Sequence, residues 1–98
     1  MHARARTVYS RDIVMKFQRG YAAQSRYGFI VGTKVSKRAT VRNLIKRRLR
    51  AIITKHQRVI RPSQDIVFIA RSSIVGIPYA TMEQQVLDVL HKARLIQK

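Results

Sequence analysis

Ala39-Thr-Val-Arg-Asn-Leu-Ile-Lys-Arg-Arg-Leu-Arg50 reads as a helix whose polar side is almost entirely cationic. At 100° per residue Val41, Ile45, Leu49 and Ile52 form one apolar stripe, with Leu44 and Ile53 on its margins. Arg42, Asn43, Lys46, Arg47 and Arg50 fall together on the opposite side. Arg48 breaks the pattern, projecting between Leu44 and Val41, where its alkyl stem can follow the core edge while its head reaches water. Ordinary solvated helices mix signs and gain from pairs four residues apart. Here Arg42, Lys46 and Arg50 are four apart with no acid among them, so the helix gives up stability for charge.

The segments on either side set the fold. Tyr27 to Lys34 reads as a strand, with Tyr27, Phe29, Val31 and Thr33 on one face and Gly28, Ile30, Gly32 and Lys34 on the other. Two glycines on one face suggest a surface kept low for a ligand, or equally a tight twist or bulge. The helix runs to about His56, and a loop follows at Arg61 to Gln64. Asp65 to Arg71 is apolar on both faces, as a central strand would be. Upstream, Thr7 to Gln18 carries strand-type residues interrupted at Ser10-Arg11-Asp12, and Arg19 to Ser25 reads as a hairpin loop. Downstream, a connection through Pro78 leads to a second helix from a Thr81 cap to about Leu95, with Met82, Val86, Val89 and Leu90 at helical spacing. The order strand, strand, strand, helix, strand, helix predicts one α+β domain over residues 1–98, a mostly antiparallel four-stranded sheet covered by helices.

Charge narrows the function. The chain has 98 residues, 21 lysines and arginines, four acids and a formal net charge of +17. From Ile13 to Gln64 there are fourteen cations and no aspartate or glutamate. Such a surface repels itself unless a polyanion neutralises it, and RNA or DNA is the first partner to consider. With 46% apolar residues the chain is no disordered basic tail. No cysteine is present, which excludes disulfides and thiolate metal sites. No apolar run approaches a membrane span, and Met1 to Arg6 lacks the apolar core of a secretory signal, so a cytoplasmic location is expected.

Catalytic groups are scarce. Asp12, Asp65, Glu83 and Asp88 are the only acids, and their placement makes a convergent two-metal cluster improbable. His2, His56 and His91 match no ligand spacing, and no serine sits in a nucleophile-elbow motif. These residues are expected to be solvated surface or caps, with no catalytic residue and no metal ligand in this chain.

Lys34-Val-Ser-Lys-Arg-Ala-Thr-Val-Arg-Asn-Leu-Ile-Lys-Arg-Arg-Leu-Arg50 resembles the signature of the bacterial ribonuclease P protein component. That pattern is a strand ending in lysine, a short loop, and a helix opening with an Arg-Asn-x-(Ile/Leu)-Lys-Arg core followed by a further arginine. Gly28 to Val31, Asp65 to Arg71 and Tyr79 to Leu95 resemble the flanking family elements, so the likeness spans about Thr7 to Leu95. The Arg-Asn-x-Ile-Lys-Arg core is specific in a way that a basic helix alone is not.

The resemblance implies a ribosomal-protein-like fold with a left-handed strand–helix–strand crossover. It also implies a role as the protein subunit that joins a catalytic RNA in removing the 5′ leader of precursor tRNA, with Mg²⁺ needed by the RNA–protein holoenzyme and no cofactor held by the protein alone. Carried over by position, Arg42, Asn43, Lys46, Arg47 and Arg50 match the basic motif and Lys34 the strand-end lysine; Lys37 and Arg38, in the loop between, join them as RNA-binding residues. Val14, Lys16, Ile30 and Lys34 are expected to meet the leader on the sheet. Two departures stand out. Leu44 occupies a motif position commonly held by arginine. The family usually carries, before its first strand, a helix whose phenylalanines wall the leader cleft, whereas here the strand begins almost at once, so either a compact variant or a truncated copy is expected, with a cleft that is shallower or differently built and has fewer aromatic contacts. The rival readings are a small ribosomal protein that binds rRNA without processing, and a DNA-binding module, against which the lack of a helix-turn-helix partner helix counts.

Overall fold

The computed structural model describes residues 5–96; His2, and with it most of the amino-terminal stretch considered as a signal, lies outside them. The elements run β1 (Arg6–Tyr9), β2 (Ile13–Arg19), β3 (Arg26–Ile30), α1 (Ala39–His56), β4 (Gln64–Ala70) and α2 (Tyr79–Lys92), with single 3-10 turns at Gln57–Val59 and Ser72–Ile74. This is the expected order in a two-layer α+β fold.

The sheet order is β1-β2-β4-β3. Strands β1 and β2, and β2 and β4, pair antiparallel, while β3 pairs parallel with β4. The sheet is therefore mixed. The reason is the α1 crossover, which carries the chain back to the starting end of the sheet so that β4 runs beside β3 in the same direction. As its two apolar faces predicted, β4 is central.

Alternation then sorts each strand. Ile13, Met15 and Phe17 of β2 and Ile66, Phe68 and Ala70 of β4 are buried beneath the helices. They pack with Ile45, Leu49, Ile52 and Ile53 of α1 and Met82, Val86, Val89 and Leu90 of α2 in a single core. Both helices lie on this side. The other side of the sheet, among the described residues, carries no helix.

Three boundaries differ from expectation. Strand β3 stops at Ile30, because the Val35 amide bonds the Gly32 carbonyl at 3.0 Å and turns the chain; Thr33 and Lys34 lie in that turn. Helix α2 starts at Tyr79 behind Pro78, whose extended backbone precedes the first turn, and the Met82 amide donates to the Pro78 carbonyl at 3.0 Å; Thr81 is thus inside the helix and not its cap. The same helix ends at Lys92, because Arg94 takes a left-handed conformation (φ 58°) and the Leu95 amide reaches back to the Leu90 carbonyl at 2.9 Å.

Candidate nucleic-acid interface

Arg42 and Lys46 flank the buried stripe instead of standing opposite it, whereas Asn43, Arg47 and Arg50 lie farther round the helix, away from the core. Ile53 is buried as well as Ile45 and Leu49, which rotates the core-facing arc toward Arg42. Arg42 and Lys46 are half-buried, while Asn43, Arg47 and Arg50 are exposed. The row Arg42–Lys46–Arg50 follows the edge of β3. Arg42 Nη1 donates to the Ser36 carbonyl at 2.9 Å, and the Arg50 guanidinium lies 5.6 Å from the Phe29 ring centroid. Arg48 is half-buried, and Leu44, in the place of the family arginine, is 36% exposed.

The amino-terminal end of α1 adds to the positive field. Its first turn holds no acid, and Arg38, at the cap position, makes no side-chain capping bond. The helix dipole therefore points its positive end toward the segment that carries Lys34, Lys37 and Arg38, all exposed.

What keeps these cations available is the placement of the four acids. Asp65 holds Arg26 in a two-pronged pair at 2.8 and 2.9 Å, and the guanidinium keeps its carboxyl below the ordinary range. Glu83 meets His56 at 2.7 Å and Lys55 at 3.0 Å, which together hold it low. Asp88 pairs with Lys92 at 3.1 Å. Asp12 is buried against Gln85, which donates to it at 2.6 Å and accepts from the Asp12 amide at 2.8 Å. Burial pushes the Asp12 carboxyl up, but the Gln85 and Ser73 hydrogen bonds and the charges of Arg11 and Arg71 outweigh it and leave it lowered. Asp12 and Glu83 are thus structural groups of the interior and the helix–helix seam, not the solvated surface or helix caps expected for them. Among the described residues none of Lys34, Lys37, Arg38, Arg42, Lys46, Arg47 and Arg50 joins a salt bridge. No three His, Asp or Glu side chains come together there as a metal cage.

The bare face of the sheet has an ordered composition. Strand register aligns Tyr9, Val14, Ile69 and Ile30 in one row across all four strands. Thr7, Lys16, Val67 and Gly28 form the next row, and Gln18, Asp65 and Arg26 a third. Val14, Lys16 and Ile30 thus share the face predicted for them. A Cβ on Gly28 would make ordinary contact with Val67 at 3.5 Å, so packing does not demand glycine; its absence keeps the floor beside Lys16 low. Lys34 does not project from the strand beside the glycines, because the turn removes it. It instead lines, with Ile30, Ile69, Arg11 and Arg71, a hollow of about 680 Å³ at the end of this face.

Tyr9, Arg11, Arg71 and Ile69 are the residues that sequence reasoning passed over. Tyr9 is 57% exposed, with the Arg71 guanidinium 5.8 Å from its ring centroid. Its position after Val8 in a strand places it on the face away from the core, a signal that alternation alone carries.

Known proteins similar in sequence and shape point to one family. The family model described as Ribonuclease P matches residues 1–94. The ribonuclease P protein component of Synechocystis is 39% identical over 75 residues, 76% of this chain and 60% of that protein. That of Syntrophomonas wolfei is 32% identical over 88 residues, 90% of this chain and 73% of that one. The crystal structure of the Staphylococcus aureus RNase P protein superposes with a TM-score of 0.84 at 25% identity, covering 95% of this chain and 84% of that one. The chain spans about three-fifths to three-quarters of the length of these two relatives, and the basic helix, the crossover and the bare sheet face all lie within the match. It belongs to the bacterial ribonuclease P protein component family.

Proposed function

We propose that this chain serves as the protein subunit of ribonuclease P, assisting removal of the 5′ leader from precursor tRNA in the cytoplasm. The observation that carries the proposal is the set of unpaired cations on α1 and its approach segment, standing beside a bare, partly basic sheet face. Arg42, Lys46, Arg47 and Arg50, with Asn43, Lys34, Lys37 and Arg38, hold the phosphates of the catalytic RNA. The face carrying Val14, Lys16 and Ile30, with Lys34 at its rim, receives the single-stranded leader. The α1 cations and the bare sheet face belong to opposite layers of one small fold, so one protein can touch both RNAs at once.

The four carboxylates lie apart and bond to protein groups, a poor fit to a hydrated Mg²⁺. On this reading the Mg²⁺ requirement expected of the holoenzyme is assigned to the RNA. The protein's part is positional: screening phosphate repulsion tightens substrate binding and lowers the Mg²⁺ demand. A ribosomal role would use the basic helix but gives no use to the bare sheet face.

The test is reconstitution. With a bacterial ribonuclease P RNA and precursor tRNA at low Mg²⁺, the protein should yield mature 5′ ends that RNA alone does not. Tight RNA binding with no gain in processing would favour the ribosomal alternative.

A further inference from the structure

We propose that Tyr9 is a base-stacking residue for the leader, set beside Arg71 at the head of an apolar row that crosses the sheet; this rests on the function proposed above. Tyr9 is 57% exposed although it sits on a paired strand, and Ile30, at the far end of the same row, is 51% exposed. Between them lie the half-buried Val14 and Ile69. At about 4.8 Å per strand the row extends roughly 14 Å, long enough to meet more than one nucleotide.

An exposed apolar row invites several occupants, and charge selects among them. Arg71 stands over the Tyr9 ring, Arg11 and Lys34 border the hollow at the end of the face, and Lys16 rises from the adjacent row. The only acid in the three rows, Asp65, is neutralised by Arg26 at the opposite end. Rings and aliphatic groups for bases, with cations for the phosphates between them, are what single-stranded nucleic acid requires. An apolar protein segment would find too many unpaired cations.

The backbone around the ring is firmly held. The Arg71 amide donates to the Asp12 carbonyl at 2.9 Å, the Ser10 amide to the Ile13 carbonyl at 2.8 Å, and Lys92 Nζ to the Tyr9 carbonyl at 3.1 Å. These bonds fix Tyr9 and Arg71 relative to one another without using either ring face. A nucleobase can take the ring face now shared with the guanidinium, and Arg71 can turn to the adjoining phosphate. The aromatic surface expected to be scarce on this cleft is thus supplied by the edge strand itself.

The experiment compares wild type, Tyr9→Ala, Tyr9→Phe and Arg71→Gln, each assembled with a ribonuclease P RNA. Equilibrium binding is measured to mature tRNA, to precursor tRNA, and to precursors carrying a single abasic nucleotide at successive leader positions. Tyr9→Ala should weaken precursor binding by about 5- to 150-fold without changing its salt slope. Tyr9→Phe should stay close to wild type, and all four should bind mature tRNA alike. At one abasic position wild type and Tyr9→Ala should converge, because the base that the ring stacks is gone. Arg71→Gln should flatten the salt slope by about 0.7. Tyr9→Ala binding equal to wild type on the intact leader, or an equal loss on every abasic leader and on mature tRNA, would overturn the assignment. If wild type itself shows no leader preference, the leader role of the whole sheet face falls with it; if leader preference persists while Tyr9→Ala is silent, only the role of Tyr9 does.

Discussion

The guanidinium of Arg50 lies 5.6 Å from the centroid of Phe29, and Phe29 stacks on Phe68 at 5.9 Å with ring planes 10° apart. The last cation of the α1 row is therefore seated on β3, which is itself seated on the central strand. Position and charge can be separated here. Arg50→Lys keeps the charge and loses the planar contact, whereas Arg50→Ala loses both. Arg50→Ala should cost about 0.5–1 kcal/mol of stability and also flatten the dependence of log K for RNA on log salt by roughly 0.7–0.9. Exposed Arg47→Ala should flatten that slope equally while leaving the urea midpoint unchanged. If the four cations Arg42, Lys46, Arg47 and Arg50 each neutralise a phosphate, together they give a slope of about −3 to −4. A slope that ignores all four substitutions would mean that this side of α1 faces solvent in the complex.

Asp12 and Gln85 form the buried polar pair that ties the β1–β2 turn to α2. Asp12→Ala strands the Gln85 amide in a dry site and should cost about 1–3 kcal/mol, read as a shifted denaturation midpoint. Chemistry is a separate matter. The amide variants Asp12→Asn, Asp65→Asn, Glu83→Gln and Asp88→Asn should all support cleavage in the reconstituted enzyme. Single-turnover loss of the cleavage step in one of them, with folding and RNA binding intact, would assign that carboxylate a catalytic role.

Acid should unfold the protein through a small set of carboxylates. Asp12, Asp65 and Glu83 are all lowered from their ordinary values in the folded state. A lowered folded value means that the unfolded chain takes up protons first as pH falls. Their contribution is thus complete above the ordinary carboxylate range, at about pH 5 and higher, and fades as pH drops through the lowered folded values. The melting temperature should stay level on this account from neutrality to about pH 5 and fall below it. Glu83→Gln should blunt that fall, since His56 and Lys55 then lose the charge they share. An acid limb identical in the Glu83→Gln and wild-type proteins would remove this pair from the explanation.

Periodicity carried most of the fold because the core obeys it: Ile45, Leu49 and Ile52 in α1 and Met82, Val86, Val89 and Leu90 in α2 are all buried at the spacing that betrays them. The run of β4, apolar on both faces, revealed its central place for the same reason. Pairing direction was not legible, since nothing in Arg26 to Ile30 says whether its neighbour will be β2 or β4. Nor could spacing say that Asp12 is buried, because its partner Gln85 lies 73 residues away. On the candidate interface, the run of α1 cations was legible from its own chain segment. The meeting of Tyr9 with Arg71 was not, because it exists only once β2 and β4 have paired and the hairpin has closed.

The leader's share of affinity should have two parts with different salt responses. Lys16 and Lys34 offer charge at the sheet face, which alone would make the preference for precursor over mature tRNA vanish in high salt. A cleft with fewer aromatic contacts, as the sequence leads one to expect, would rest the preference mainly on charge and shrink it as salt rises. Tyr9 and Ile30, both more than half exposed, change that expectation. Stacking and apolar contact do not release counterions, so their contribution persists when salt rises. Precursor tRNA should therefore bind the assembled enzyme better than mature tRNA at low salt, the ratio should shrink as salt increases, and it should level off above one. Lys16→Ala should lower the ratio at low salt and leave the plateau in place. Tyr9→Ala should do the reverse, leaving the low-salt charge dependence and bringing the plateau toward one. A ratio of one already at low salt would mean that this sheet face does not receive the leader. A large ratio wholly indifferent to salt would mean that Lys16 and Lys34 contribute nothing to holding it.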